Sequence, residues 1–435
     1  MQNENALTPA LSHLMGEGES SAALVEDLRA VIAGRTTANP KPSDCGSPLP
    51  SDGRGVRGEG LHPHISIGIL AWNEEAAIEA TLNSLFQQSL FAELARRNLS
   101  CEILCVANGC TDSTASVAAK IFAAQRENHP HRAAGACRVV DIKERGKTNA
   151  WNVFVHTHAA RTARFLFLMD GDIVIHHSDT LWNMCVALLD NAEASVSVDQ
   201  PLKDLAFKPR KTFFDRFSLA TSRMTQTGAA QLTGQLYCIR AEVARRIFLP
   251  RDLLVEDGFI KALVCTDFLT QPLSPGRIVR AENASHVFQA YSSLRDVLKN
   301  QTRQMIAQTI THLLVDKHFA ALSAAEKAHL TEFVREKENT DPLWLKKLIG
   351  EHVRARKHFW ELFPGMLSFR FARLAKLNGA ARVIQFPAAL AGFLVTLIAC
   401  GAAHRFLQKG CTDYWPDTKS PGLKNLVEEL KPLKV

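Results

Sequence analysis

The sequence predicts an α/β protein: a mostly parallel sheet with flanking helices, followed by a helical C-terminal region. Three observations carry this expectation. Four apolar runs, HISIGILA, CEILCVAN, CRVVDIKE and RFLFLMD, alternate with stretches of helical spacing. A strand followed by a helix at this interval makes neighbouring strands parallel, because the crossover helix returns the chain to the same end of the sheet. Near-continuous apolar strands fit a sheet covered on both faces.

The elements follow in order. Residues 1–60 are expected to be a disordered N-terminal extension. NPKPSDCGSPLPSDGRGVRGEG is dense in Pro, Gly, Ser and charge and buries too little apolar surface to offset its chain entropy. Within it, Ser21 to Ala33 has the spacing of a short amphipathic helix. Order begins where Ile65, Ile67 and Ile69 alternate with small residues, a strand signal. The turn at Asn73-Glu74-Glu75 opens a helix with Ile78, Leu82, Leu85 and Phe86 on one face. The second strand ends at Asn108-Gly109 and feeds a helix with Thr111 or Asp112 near its start. GKTNAWNVFVHTHAA is a third helix, and RFLFLMD a fourth strand ending in Asp170-Gly171-Asp172. Ligands of such sheets bind beyond the carboxyl ends of the strands, so Asn73, Asn108, Lys143, Asp170 and Asp172 are expected on one rim. Residues 197–261 are less regular, with Glu256-Asp257 opening a helical run. Past Phe288 the pattern is helical. The expected organisation is an α/β domain over 61–290, a helical region over 291–380, and an apolar membrane-associated helix with a tail over 381–435. There is no internal repeat.

Composition narrows the class. The chain has 435 residues, 46% hydrophobic and 22% charged, enough for a sizeable core. A net charge of +7 suits an anionic substrate or membrane surface. No Lys/Arg stripe with interleaved aromatics marks a nucleic-acid binder, and none is expected as a partner. The ten cysteines form no C-x-x-C. Cys101, Cys105 and Cys110 lack the ligand pairing of a zinc site, and Cys105, Cys238 and Cys265 lie in apolar runs as buried thiols. A reducing compartment follows. No basic start followed by a long apolar core marks a secretory signal. The run VIQFPAALAGFLVTLIACGAA, Val383 to Ala403, is uncharged and about 20 residues long, enough to cross a bilayer core. Arg370, Arg373, Lys376 and Arg382 just upstream suit an anionic leaflet. The other reading of this run is a hairpin of helices buried against the α/β domain.

Asp170 and Asp172 alternate along a strand, so both face one side and can address one hard cation, Mn2+ or Mg2+. Gly171 between them allows a ligand to approach closely. Such a metal neutralises charge on a departing diphosphate. Alone, D-x-D is also an ordinary solvated turn.

Six motifs in order change that weighting. From Ile65 to about Arg303 the sequence resembles the family-2 glycosyltransferases, inverting enzymes of the GT-A fold with a Rossmann-like sheet. ISIGILAWNEEAAIEATLNSLFQQS resembles the opening strand, turn and helix. EILCVANGCTDSTASVA is similar to the second strand and its Asp-Gly-Ser-Thr-Asp turn. RGKTNAWNVFV, FLFLMDGD, VEDGFIKAL and NQTRQ resemble the Gly-Lys, D-x-D, Glu-Asp and Gln-x-x-Arg elements. The resemblance implies that Asn73, Glu75, Asn108, Gly109, Lys147, Asp170 and Arg303 bind the donor, a nucleotide-diphosphate sugar with UDP-sugars foremost. It implies that Asp172 and Asp170 hold Mn2+ or Mg2+, that Asp257 is the general base of an inverting transfer, and that Glu256 and Asp112 support the site. Taken singly, the same residues have plainer readings: Glu256-Asp257 as helix-start carboxylates, Asp112 as a cap, Arg303 as a surface charge and Lys147 at a solvated helix start. His176 or His177 as a further ligand competes with an ordinary exposed role. Trp72 and Trp151 are apt stacking platforms for a sugar or base, or partly core residues.

The sequence departs from the family at Ala107 and Asn108, where acidic residues are usual, and this opens the identity of the base. Gln304 follows Arg303 where processive synthases carry Trp. The expectation is a metal-assisted, non-processive transfer to a glycan or lipid-linked acceptor, in envelope polysaccharide biosynthesis. The place expected is the cytoplasmic face of the inner membrane, peripheral or single-pass, with the cytoplasm as the alternative. The competing functions are a nucleotidyltransferase, which lacks its Gly-rich opening loop here, and a catalytically silent nucleotide-sugar-binding protein.

Overall fold

Strand β1, Ile65–Ala71, is buried along its whole length because the sheet continues on both sides of it. It pairs in parallel with β2, Cys101–Asn108, and with β4, Phe165–Asp170. β3, Gly135–Ile142, adds to β2 in parallel as an edge strand and is only partly buried. A computed structural model describes residues 62–212, 215–216, 218–219, 230–291 and 293–410. They fall within one compact unit, Gly58–Val435. The expected extension over 1–60, its helix at 21–33 and the tail beyond 410 lie outside the described residues.

The sheet has eight strands in the order β3-β2-β1-β4-β7-β6-β8-β5. Its first four strands are parallel, as the alternation of strand and helix dictates. The second half is mixed. β7, Leu236–Arg240, runs antiparallel to β4, and β6, Val196–Lys203, antiparallel to β7. β8, Ile278–Phe288, joins two regions. Its first residues pair in parallel with Val196–Val198; after an irregularity between Val198 and Gln200, its end pairs with Gln200–Lys203. On its other side that end takes up β5, Ile173–Ile175, in antiparallel register. Only Gly171 and Asp172 separate β4 from β5, so the chain turns sharply at the D-x-D.

Helices cover the sheet where their apolar spacing requires it. Helix Ile78–Phe86 buries Ile78, Leu82, Leu85 and Phe86. Helix Lys147–Asn152 continues through a wider turn, Val153–His158. Its Phe154 ring lies so close to β1 that a Cβ on Gly68 would meet the ring at 2.8 Å. Trp151 is wholly buried and donates from Nε1 to the Tyr237 hydroxyl at 2.7 Å, so it is a core residue and no ligand platform. The C-terminal helices share this core. Ile306, Ile310, Leu314 and Phe319, from helix Leu294–His312 and the turn Leu313–Phe319, cluster with Phe154, Phe259 and Ile260. Leu345 and Ile349 of helix Trp344–Arg354 join the same cluster. This shared packing carries Arg303 to the sheet's rim.

Candidate active site

The turns after β1 and β2 are knitted together by their own side chains. Asn73, at φ +54°, accepts the Thr111 N–H at 2.7 Å. The Glu75 carboxylate accepts the Ser113 N–H, and the Glu75 N–H is donated to Asp112. Asp112, one residue before the N-cap Ser113, also accepts from Thr114 N at the first residue of helix Thr114–Asn128, so it satisfies that free N–H and braces the turn together. Asn108 is 2% exposed, and its amide is fully committed: it donates to the Ala71 carbonyl at 2.8 Å and accepts from Gly146 N at 3.1 Å. Gly109 sits at φ +64°, and a Cβ there would meet the Arg145 backbone at 3.1 Å. Only glycine allows that approach.

These turns and the strand ends enclose a cleft of about 670 Å³. Of the expected residues, Asn108, Lys147, Asp170, Asp172, Glu256, Asp257 and Arg303 line it. Asn73, Glu75, Gly109 and Asp112 are not among its lining residues and act one layer behind, through the bonds just described. Lys143 is exposed and outside it. His177 is exposed, and His176 bonds to the Ser285 hydroxyl, both away from the lining. Trp72 does line the cleft, with the Arg145 guanidinium 3.7 Å above its ring.

What balances the paired carboxylates is in part a lysine. The Lys147 ammonium donates to Asp170 Oδ1 at 2.7 Å, Glu256 Oε1 at 2.9 Å and the Gly234 carbonyl at 2.9 Å. A Cβ on Gly234 would fall 2.4 Å from Glu256 Oε1, so that glycine makes room for the ion pair. Burial alone would lower the lysine, but Asp170 and Glu256 hold it above its ordinary range. Burial pushes Asp170 up to about 7 against the pull of Lys147. Burial also raises Asp172, with Lys147, His286 and Arg303 opposing it from a distance.

Among the described residues no ion pair engages Asp172 or Asp257. The lining carries seven carboxylates (Glu74, Glu144, Asp170, Asp172, Asp252, Glu256, Asp257) against four cations (Arg145, Lys147, Arg251, Arg303). Such a cleft repels a diphosphate unless a further cation enters with it. Gln289, which the sequence reading did not single out, follows β8 directly. The register pairs Ile173 with Phe288, so Gln289 falls opposite Asp172. Its Oε1 is buried with no hydrogen-bond partner among the described residues. No cluster of three or more His, Cys, Asp and Glu in metal-binding arrangement occurs among the described residues. An oxygen-only set of Asp172, Gln289 and the free side of Asp170 still fits a hard cation that takes its other ligands from phosphates and water.

Asp257 stands at the start of helix Glu256–Cys265, largely buried, accepting the Gly258 N–H at 2.6 Å. Burial and the Glu256 charge raise its carboxyl, the direction that strengthens a base near neutral pH. Behind the wall, buried Asp199 accepts from His286 Nδ1 at 2.7 Å, and His286 Nε2 lies 3.2 Å from Gln235 Oε1. Arg251 joins the rim to the helices. It pairs with Glu144 at 3.2 Å, and its N–H is donated to Glu338, which also accepts from Trp344.

The sequence model of glycosyl transferase family 2 matches residues 66–247, the span that holds β1 to β7, the Lys147 turn and the D-x-D. The chain carries a family-2 glycosyltransferase domain. Among solved structures, this glycosyltransferase is similar to residues 1–349 of S. aureus TarS in complex with UDP. The identity is 15% over 80% of this chain and 88% of that one, with a TM-score of 0.38. It is also similar to glucosyl-3-phosphoglycerate synthase from Mycobacterium tuberculosis in complex with Mn2+ and UDP-glucose. There the identity is 18% over 57% of this chain and 79% of that one, with a TM-score of 0.36. A search of curated protein sequences finds no match. The glycosyltransferase match ends at residue 247, so Asp257, Gln289 and Arg303 are contributed from beyond it.

Proposed function

We propose that this glycosyltransferase moves one sugar from a nucleotide-diphosphate donor to an acceptor hydroxyl with inversion, using Asp257 as the base. The observation that carries the reading is the division of carboxylates in one cleft. Asp170 and Glu256 are neutralised by Lys147, whereas among the described residues Asp172 and Asp257 have no ion pair, and the two differ in surroundings. Asp257, raised by burial, takes the acceptor proton as the oxygen attacks the anomeric carbon from the face opposite the leaving diphosphate. Glu256, fixed by Lys147, holds the start of the helix that presents Asp257. Arg303 offers a guanidinium fork to phosphate oxygens. Trp72 and Arg145 form a flat wall suited to a nucleobase.

Asp172 and Gln289, with Asp170, are the residues that would hold Mn2+ or Mg2+. When bound, the ion supplies positive charge against the diphosphate leaving group. The acceptor class we favour is a glycan or a lipid-linked sugar. Among the described residues one helix is long and apolar enough to cross a membrane, and this favours single transfer over extrusion of a polymer through a helical channel.

The test is Asp257→Asn with a panel of nucleotide sugars, UDP-sugars first. The variant is expected to bind the donor as the parent does while losing transfer. Undiminished turnover would remove the base assignment, and absence of any nucleotide-sugar binding by the parent would remove the reading itself.

A further inference from the structure

Helix Gly379–Gln408 has two unlike faces. Toward its end one face buries Thr396, Ala399, Cys400, Ala403 and Leu407 against the rest of the fold. From Val383 to Ile398 large apolar side chains stay open: Ile384 is 77% exposed, Ile398 57% and Leu394 50%, with Val383, Phe386 and Leu390 beside them. Phe386, Leu390, Leu394 and Ile398 recur every four residues and so lie along one face. Helix Phe369–Ala375 packs next to it, with the Phe371 and Phe393 rings 5.2 Å apart and the Arg370 guanidinium over Gly392. Arg373, Lys376 and Arg382 are exposed around this apolar face. From Leu362 to Thr412 the sequence has no Asp or Glu, while Arg370, Arg373, Lys376, Arg382, Arg405 and Lys409 all lie within it.

We infer that the Val383–Ile398 stretch of helix Gly379–Gln408 docks in the plane of an anionic lipid leaflet. Its Val383–Ile398 side chains sink below the headgroups, and Arg373, Lys376 and Arg382 meet the lipid phosphates. Three points favour this occupant. The open stretch from Arg382 to Ile398 is about 24 Å long at 1.5 Å per residue, short of the ~30 Å hydrocarbon core. Beyond Ile398 one face of the helix is held to the protein through the buried side chains of Ala399, Cys400, Ala403 and Leu407. A second copy of the chain would bring two basic surfaces together, whereas an anionic leaflet complements both the charge and the apolar stripe. The surface is separate from the cleft, so the inference stands apart from the catalytic reading.

The experiment is flotation of the full chain, without detergent, with vesicles of phosphatidylcholine alone or mixed with phosphatidylglycerol. Binding is expected on the mixed vesicles and is expected to weaken steeply with added salt. Ile384→Glu with Leu394→Glu, and separately Arg373→Glu with Lys376→Glu, are each expected to lower partitioning by about 10-fold or more. Asp257→Asn is expected to float like the parent, which keeps this result distinct from the transfer assay. Equal binding to the uncharged vesicles, or salt-independent binding, would overturn the inference. So would retention through an alkaline carbonate wash, which marks a spanning helix, or a concentration-dependent dimer with no vesicle binding. Salt dependence is read on the parent protein, so the test survives a variant that fails to fold.

Discussion

Lys147→Met removes the ammonium that holds Asp170 and Glu256 and leaves their shape nearly intact. The lysine side chain is 18% exposed, that of Glu256 4% and that of Asp170 22%, so little water replaces the lost charge. Breaking a buried pair by deleting one partner costs about 3–5 kcal/mol, and here two carboxylates and the Gly234 carbonyl lose the same donor. For a chain of this size that is a fall in Tm of about 3–6 °C. The sign of the pH dependence is fixed. Burial already pushes Asp170 up to about 7 in the fold, above the ordinary carboxylate range, and loss of Lys147 raises it further. A carboxyl that binds its proton more tightly when folded favours the fold below the unfolded value and loses that advantage as pH rises through the folded one. The gap between variant and parent is therefore smallest near pH 5 and largest above pH 8. Differential scanning calorimetry at both pH values checks this, with Lys147→Met/Glu256→Gln recovering part of the loss. A Tm drop under 2 °C at pH 8, or a gap that widens in acid, would refute the account of the triad.

Gly109→Ala places a Cβ at φ +64° against the Arg145 backbone; it is expected to cost about 1–3 kcal/mol in denaturant unfolding. Gln289→Leu removes the orphaned oxygen opposite Asp172 and is expected to weaken Mn2+ affinity by about 10-fold or more, leaving metal-free nucleotide binding unchanged in calorimetric titration. Asp199→Asn weakens the buried bond to His286 and is expected to lower stability by about 1.5–3 kcal/mol, again read by unfolding.

The parallel half of the fold was legible because burial on both faces writes itself into composition: Ile67, Ile103 and Phe167 sit where an apolar run had to become a strand. The D-x-D was legible as a strand end for the same reason. The second half was not, because β6, β7 and β8 lack crossover helices and pair by contacts distant in sequence, such as Val198 with Tyr237. Lys147 was read as a donor-binding residue, yet its ammonium is committed to Asp170 and Glu256. A partner 109 residues away leaves no local trace. Asn108 shows the same limit: its position on the rim could be anticipated, while the engagement of its amide by Ala71 and Gly146 could not. Gln289 is an unremarkable amide until the β5–β8 register sets it against Asp172.

The core shared by sheet and C-terminal helices has a consequence for how the catalyst comes into being. The recognisable family likeness stops at residue 247, but the proposed base Asp257, the Gln289 amide and Arg303 are all translated afterwards. A nascent chain therefore carries an unfinished pocket until the helix bearing Arg303 has left the ribosome and closed against Phe259 and Ile260, and a fragment trimmed to the likeness alone would be inert.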